Sequence, residues 1–496
     1  MLFNSDIFIF LFLPITWILF FLVRKLENPL YIYLLLIAAS LFFYSWWNPI
    51  YLPLLVFSIS FNFVLSRYFY VPPHKYFSRR NVLVAGIAGN LAVIAYFKYS
   101  GFFADNLSIL LGADIQLHKV ALPLAISFFT FQQIAYLVDS YRNQTRQYGF
   151  LQYCVYVSFF PQLIAGPIVY HSEVMGQIEK LNGSSDLADN FYRGLNLFII
   201  GLAKKVLIAD NLAIYAQMTF NAAENGEAVG MIPAYMGTLA YTFQLYFDFS
   251  GYSDMAIGLA LMFQIRLPFN FDSPYKATNI IDFWRRWHVT LSRFLKVYLY
   301  IPLGGNRKGD FRRLANILVT MILGGLWHGA SWNFIFWGLL HGLFLVINHA
   351  WIQVCTVAGP GHLRTSKPYV IGARVLTFVT VVLAWVFFRA ETFGGAILVL
   401  EGLLGRNGLG MEAAGSYSDA TWYLLPAAVI AFLAPTSQAW LGISAQGRTE
   451  GGDSGRVPFV YVRWPPTLFT AVAMGGIAFA TIFMMRGLSE FLYFQF

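Results

Sequence analysis

The sequence is poor in charged residues and in cysteine. Only 11% of its 496 residues are Asp, Glu, Lys or Arg, less than half of the roughly 25% that is usual in a soluble domain. The two cysteines, Cys154 and Cys355, stand apart in apolar sequence, and no C-x-x-C pair is present. These shortages argue against a water-soluble domain, a disulfide framework and a thiolate metal site.

Several common catalytic motifs are also missing. The chain has no G-x-S-x-G elbow, and it has no G-x-x-x-x-G-K-[ST] loop, H-E-x-x-H or G-x-G-x-x-G motif. No histidine is followed five residues later by aspartate, so the H-x4-D arrangement of many lipid acyltransferases is absent. If the protein is an enzyme, its base is a histidine without an acidic partner nearby in sequence.

Apolar residues dominate the chain, of which 58% is hydrophobic and 18% aromatic. Runs of about 20 apolar residues recur from end to end, and each is long enough to cross a bilayer as a helix. The period-2 alternation of a membrane barrel is absent. We therefore predict a single all-α polytopic membrane domain over 1–496, with roughly 11–15 membrane segments. Beyond the first run, the segments lie near 30–47, 50–70, 82–99, 119–141, 151–169, 192–209, 229–247, 254–267, 313–327, 332–353, 370–389, 420–435 and 467–485.

The charges that are present follow the positive-inside pattern. The first apolar run, residues 7–23, is followed by Arg24 and Lys25, which indicates an uncleaved span with its basic end inside. Basic loops at 24–28, 74–80 and 142–147 alternate with loops at 48–49 and 102–119 that are neutral or acidic. We expect a bacterial inner-membrane protein with a periplasmic N-terminus. The net charge of +9 then reflects topology and attraction to lipid headgroups, and a nucleic-acid partner is not expected.

The stretch 270–312 combines charge with aromatic residues. At 100° per residue, its segment 282–300 places large apolar residues opposite an arc made by Arg285, Arg286, Arg293 and Lys296. This pattern predicts an amphipathic helix in the headgroup plane, followed by a cytoplasmic loop. A second cytoplasmic loop is predicted over 443–466, which is rich in Gly and Pro.

Of the eight histidines, only His328 and His341 lie well inside apolar sequence, and His288 lies in the amphipathic segment. His328 falls at the bend between two predicted spans, where the glycine pairs of "GLWHG" and "GLLHG" let helices approach closely. Histidine titrates near neutral pH unaided, and polar groups inside membranes tend to mark functional sites. A hydrogen bond between helices is the competing explanation for His328 and the favoured one for His341. For His288 the competing explanation is an ordinary position at the membrane interface.

Two carboxylates, Asp248 and Asp254, also lie in apolar sequence and need partners there. Lys204 and Lys205 would serve, and so would the arginines of 285–293. A structural ion pair is favoured for Asp248, whereas Asp254 stays open between that role and substrate binding.

Two stretches, "FWRRWHVTLSRFLKVYLYIPLGGN" (283–306) and "LGGLWHGASWNFIFWGLLHG" (323–342), resemble the paired signatures of the membrane-bound O-acyltransferase (MBOAT) family. "QLYFDFSGYSDMAIGLAL" (244–261), "SFFPQLIAGPIV" (158–169) and the closing "FLYFQF" are similar to its bacterial alginate O-acetyltransferase branch, the AlgI type. The resemblance is close over about 1–350. It implies a ring of membrane helices around a thin central floor crossed by a tunnel. It places the catalytic histidine on His328 and a second catalytic position on His288.

The resemblance also implies an activity. An acetyl group from cytoplasmic acetyl-CoA, with no bound cofactor or metal, would cross the membrane to a periplasmic acetyltransferase partner that modifies an exported polysaccharide such as alginate. Alternative acceptors are cellulose, another exopolysaccharide or, by alanylation, teichoic acid, and the alternative class is a transporter or scaffold subunit. Arg285, Arg286 and Arg293 suit the donor phosphates because guanidinium matches phosphate geometry, although membrane anchoring is the plainer role of Arg293. The candidate substrate-binding residues are Arg285, Arg286, Trp287, Asp254, Trp327, Asn333 and His341.

The substitution His328→Ala is expected to remove nearly all acetyl transfer, because general-base catalysis typically contributes about 10²–10⁴-fold. The variant protein should still insert into the membrane. Transfer assays on membranes with matched protein levels measure the effect, and normal transfer by the variant would refute the assignment of His328 as the base.

Overall fold

The computed structural model describes residues 1–71, 78–115, 121–164, 166–183, 186–357, 366–443, 465, 467–485 and 491–492. In these ranges every regular element is a helix and no β-strand occurs. The prediction of an all-α protein is confirmed. The loop predicted over 443–466 lies almost entirely outside the described residues.

The first eleven α-helices are α1 Leu13–Arg24, α2 Pro29–Ser45, α3 Leu52–Tyr68, α4 Arg79–Ile94, α5 Ser100–Leu111, α6 Ile126–Tyr141, α7 Phe150–Ser158, α8 Phe160–Leu163, α9 His171–Ile178, α10 Leu187–Ala203 and α11 Asp210–Glu224. The others are α12 Met231–Met262, α13 Ile280–Arg286, α14 Val289–Leu295, α15 Asp310–His328, α16 Trp332–Val357, α17 Lys367–Arg389, α18 Phe393–Leu403, α19 Met411–Ala414, α20 Ala420–Leu433, α21 Ser437–Trp440 and α22 Leu468–Met484. Single π turns occur at Phe8–Phe12, Ala95–Tyr99, Lys204–Ala209 and Lys296–Tyr300, and 3₁₀ turns at Pro49–Tyr51, Pro274–Lys276 and Gly415–Tyr417.

Among the described residues, four helical stretches are long and apolar enough to cross a bilayer: Pro49–Tyr68, Arg79–Leu111, Trp332–Val357 and Lys367–Arg389. Five shorter apolar helices accompany them. The helices that meet this length and hydropathy are fewer than the predicted membrane segments, because several of those segments are divided into short pieces. The predicted segment 151–169, for example, forms α7 and α8, with Pro161 near the start of α8.

The central helix α12 merges two predicted segments, 229–247 and 254–267, into one element of 32 residues. Its length is about 48 Å at 1.5 Å per residue. From Ala240 to Met262 every residue is buried, so α12 is surrounded by protein rather than by lipid. The polar residues around this junction are helical, and the two carboxylates there, Asp248 and Asp254, pair with lysines inside the fold.

The helices that carry the site cross closely at glycine. A Cβ atom added to Gly325 of α15 would lie 2.2 Å from the carbonyl oxygen of Phe334, and one added to Gly338 of α16 would lie 2.4 Å from that of Met321. Side chains larger than hydrogen therefore do not fit at this crossing. The prediction that these glycines permit close backbone approach is confirmed.

The segment 282–300 is not the single amphipathic helix that its pattern predicts. The structure has α13 and α14, separated at Trp287 and His288. His288 takes the left-handed conformation, with φ 43° and ψ 53°, because the backbone of the flanking residue Val289 pairs with the carbonyl of Asn270 instead of continuing α13. The predicted sidedness holds in part, since Arg285 and Lys296 are exposed whereas Phe283, Trp287 and Leu291 are buried.

We expect Gly338→Val to force α15 and α16 apart, because its Cβ would meet the Met321 carbonyl at 2.4 Å. Overpacking of this kind costs about 1–3 kcal/mol, so the thermal unfolding midpoint in detergent should fall by several degrees. The matched control is Gly372→Val in α17, where an added Cβ has no atom within 4 Å. Equal midpoints for the two variants would contradict the crossing.

Candidate functional site

His328 is the last residue of α15, and α16 begins four residues later at Trp332. The predicted position at the bend between two helices is confirmed. The residue is buried, with 5% of its surface accessible, whereas His288 and His341 have none.

Aromatic rings enclose His328. The indole of Trp337 lies perpendicular to the imidazole at 5.1 Å between ring centroids, and Phe388 of α17 lies at the same distance. The neighbouring Trp327 packs at 4.8 Å. Edge-to-face contacts of this kind hold a ring in one orientation without neutralising its nitrogens. The enclosure thus fixes the orientation of the imidazole.

His288 lies on the other side of the same contact network. Its ring contacts Trp327 at 6.3 Å and meets Phe249 of α12 at 4.7 Å and 90°. Its Nδ1 lies 3.0 Å from Oδ1 of Asn270, which also accepts hydrogen bonds from Thr290. The structure therefore brings the two predicted catalytic histidines to a shared tryptophan.

His341 joins the cluster from α16. The indole Nε1–H of Trp284 donates to its Nδ1 at 3.3 Å, and Trp337 packs against it at 4.8 Å. Trp337 contacts both His341 and His328. The hydrogen bond to Trp284 matches the structural role that the sequence favours for His341.

Lys98 was not found by sequence reasoning. Its ammonium donates to the carbonyl oxygens of Trp327 at 2.6 Å and His328 at 2.9 Å, and the Tyr99 hydroxyl donates to that of Leu326 at 2.8 Å. The last carbonyls of a helix lack partners within it, and a cation at that end is favourable. Lys98 thus holds the end of α15 that carries His328. The available signal was that Lys98 is the only charged residue between Arg80 and Asp105.

The three arginines named as phosphate partners differ in what they contact. Arg293 makes a two-pronged ion pair with Glu173, at 2.6 and 2.9 Å. Arg286 donates to Asp282 and to the carbonyl of Asp272. Arg285 is exposed. Of the three, Arg285 has the guanidinium with the most room for an external anion.

The carboxylates of α12 pair with the π turn that follows α10. Lys205 contacts Asp248 at 2.6 Å, and Lys204 contacts Asp254 at 2.6 Å. The lysine partners proposed from the sequence are confirmed. Gln438 also donates to Asp254, which borders a small cavity together with Tyr246, Ser250 and Phe271.

The remaining candidates, Trp287 and Asn333, are both buried. Asn333 donates from Nδ2 to the carbonyl of Ala390 at 2.8 Å, which ties α16 to the end of α17. Trp287 packs on Trp385 at 5.0 Å and on Phe271 at 5.1 Å. No group of three His, Cys, Asp or Glu side chains suited to a metal ion occurs within the described ranges.

Comparison with known proteins gives a consistent result. The model of the membrane-bound O-acyltransferase family, MBOAT, matches residues 91–381. The peptidoglycan O-acetyltransferase of Helicobacter pylori is 46% identical over 438 residues, which are 83% of this chain and 81% of the relative. The probable alginate O-acetylase AlgI of Pseudomonas aeruginosa is 40% identical over 408 residues, 81% and 75% of the two chains. A teichoic acid D-alanyltransferase of Bacillus subtilis is 28% identical over 236 residues, 46% and 59% of the two chains.

Lys98→Met keeps the aliphatic stem and removes the ammonium that holds the end of α15. Hydrogen bonds to charged groups contribute about 1.5–3 kcal/mol, so we expect activity to fall about 10- to 100-fold while the protein stays folded. The matched control is Lys276→Met, which also removes an ammonium that donates to a helix-end carbonyl, that of Ala434. Equal activities of the two variants, measured at matched protein levels in membranes, would show that Lys98 does not position His328.

Proposed function

Because the chain belongs to the membrane-bound O-acyltransferase family, and is therefore an acyltransferase, we propose that it moves an acetyl group from acetyl-CoA across the membrane for esterification of an extracytoplasmic polysaccharide. Because this family consists of acyltransferases, we set the transporter and scaffold alternatives aside. The protein is a multi-pass membrane O-acetyltransferase. Its donor, its partner and its final acceptor are the subject of the proposal.

One observation carries the proposal: two imidazoles, His328 and His288, contact the same indole within the helical interior. A buried histidine held only for helix packing needs no second imidazole on the same ring. Two imidazoles held against one indole, away from bulk water, can accept and donate a proton and so suit proton transfer during acyl exchange.

The proposed transfer step is balanced as follows. The hydroxyl that receives the acetyl group from this protein gives its proton to the imidazole of His328 while its oxygen attacks the thioester carbonyl carbon, and the partner then passes the acetyl group to the polysaccharide. The C–O bond forms, the C–S bond breaks, and the thiolate of coenzyme A leaves with the proton returned by the imidazolium. The aromatic enclosure keeps water from competing for the acetyl group. His288 orients the thioester or relays the proton.

The donor phosphates need cations on the cytoplasmic face, and Arg285 is the best placed of the named arginines. It is exposed, whereas Arg286 and Arg293 are engaged with Asp282 and Glu173. Arg285 also belongs to α13, the helix that leads directly to His288. A phosphate bound there would place the thioester end of the donor toward the buried histidines.

For the acceptor, the comparisons favour a polysaccharide outside the cytoplasm. Relatives named for peptidoglycan and for alginate each match about four fifths of the chain, whereas the one named for teichoic acid matches less than half. Identity is higher to the peptidoglycan protein, 46% against 40%. We therefore place peptidoglycan ahead of alginate as the polymer, with a periplasmic acetyltransferase partner completing the transfer. The corresponding topology has an inner-membrane location and a periplasmic N-terminus.

Right-side-out membrane vesicles loaded with acetyl-labelled acetyl-CoA, and supplied outside with periplasmic extract, peptidoglycan and alginate, test the donor. We expect alkali-labile label on polysaccharide outside the vesicles, and analysis of peptidoglycan and alginate fractions identifies the acceptor.

Arg285→Gln should raise the KM for acetyl-CoA about tenfold, the equivalent of 1.4 kcal/mol, with an unchanged maximal rate. Arg406→Gln is the control, since Arg406 is also an exposed arginine. Absence of exported label, or an unchanged KM in the Arg285 variant, contradicts the donor assignment.

A further inference from the structure

We infer that Asn270 and Thr290 are positioning residues that fix the proton of His288 on Nδ1, so that Nε2 is its basic nitrogen. This inference rests on the proposed function only in giving that nitrogen a role in acyl transfer. The placement of the proton follows from a chain of hydrogen bonds whose directions are set at one end by a backbone amide.

The chain begins at Ile168. Its backbone N–H, which can only donate, lies 3.0 Å from Oγ1 of Thr290. The hydroxyl proton of Thr290 is therefore free to point onward, and Oγ1 lies 2.9 Å from Oδ1 of Asn270. The backbone N–H of Thr290 approaches the same atom at 3.4 Å. Two donors converging on one atom of the Asn270 amide identify that atom as the oxygen.

An oxygen at this position determines the state of His288. The amide oxygen of Asn270 can only accept, and Nδ1 of His288 lies 3.0 Å from it, so Nδ1 carries the hydrogen. In the neutral form that a proton acceptor requires, an imidazole has one N–H. Its lone pair is then on Nε2. Asn270, His288 and Thr290 are all buried, with 0–1% of their surface exposed. Water therefore has little access to reverse the directions of these hydrogen bonds.

Asn270 also fixes the backbone at His288. Its carbonyl oxygen accepts from the N–H of Val289 at 3.0 Å, directly after the left-handed His288. A non-glycine residue in this conformation is strained and persists only where surrounding contacts impose it. Because one residue holds both the main chain and the side chain, the ring and its proton are set together.

The surrounding rings prevent the imidazole from exchanging its nitrogens. Phe249 meets the His288 ring perpendicularly at 4.7 Å, and the Trp327 ring is tilted against it at 6.3 Å between centroids. A half-turn of the ring would have to displace one of them. The contacts therefore support one tautomer in one orientation, and the positioning residues act by preserving it.

Nitrogen-15 NMR of the full-length protein, labelled in histidine and embedded in lipid, measures the tautomer directly. The His288 signals are identified by their loss in His288→Gln. We expect a protonated Nδ1 and an unprotonated Nε2 in the wild type, and a mixture of tautomers in Asn270→Leu. The reversed assignment in the wild type overturns the inference whether or not the protein transfers acetyl groups, so its failure is distinguishable from failure of the proposed function.

Activity gives a second readout with a matched series. Thr290→Val, which lacks the hydroxyl, should lower kcat about 10- to 100-fold with KM within twofold, the order seen when the hydrogen-bond partner that orients a metal-ligating histidine is removed. Thr290→Ser, which keeps the hydroxyl, should keep kcat close to the wild-type value. Thr219→Val is the control, because Thr219 is equally buried and donates to the Pro233 carbonyl in another part of the fold. If the serine and valine variants behave alike, or if the Thr219 variant loses as much activity, Thr290 has no positioning role.

Discussion

An apolar interior offers no water to polar groups, and each such group has to find its partner within the chain. This constraint organises the protein around α12. The carboxylates of Asp248 and Asp254 remain buried on α12 because they form ion pairs with Lys205 and Lys204. The open end of α15 is tolerated because Lys98 donates to its last carbonyls. In the same interior, the imidazoles of His288 and His328 both contact the indole of Trp327.

The same constraint explains why the site is rigid. His288 is held through its backbone and its side chain by Asn270, and His328 is held through its carbonyl by Lys98 and through its ring by Trp337. Preorganised groups do not have to be reoriented when the reaction takes place. In the proposed mechanism, these contacts provide a fixed proton acceptor where mobile water is scarce.

Much of this arrangement is predictable from the sequence, because it depends on local patterns. The apolar runs and the glycine pairs of "GLWHG" and "GLLHG" place His328 at a helix end, and the two histidine motifs indicate the family. Tertiary contacts account for what was missed. Lys98 lies 230 residues before His328, and Asn270 lies 18 residues before His288. The predicted helix over 282–300 fails at His288 because a long-range hydrogen bond, from Val289 to Asn270, replaces the local one.

The most direct test of a proton acceptor at residue 328 is chemical rescue. His328→Gly opens a space within the enclosure of Trp327, Trp337 and Phe388, and added imidazole can occupy it. The rate of acetyl transfer from acetyl-CoA is measured in membranes of this variant as the imidazole concentration rises. We expect almost no transfer without imidazole and partial recovery that increases with its concentration. Transfer at the wild-type rate without imidazole would contradict the account.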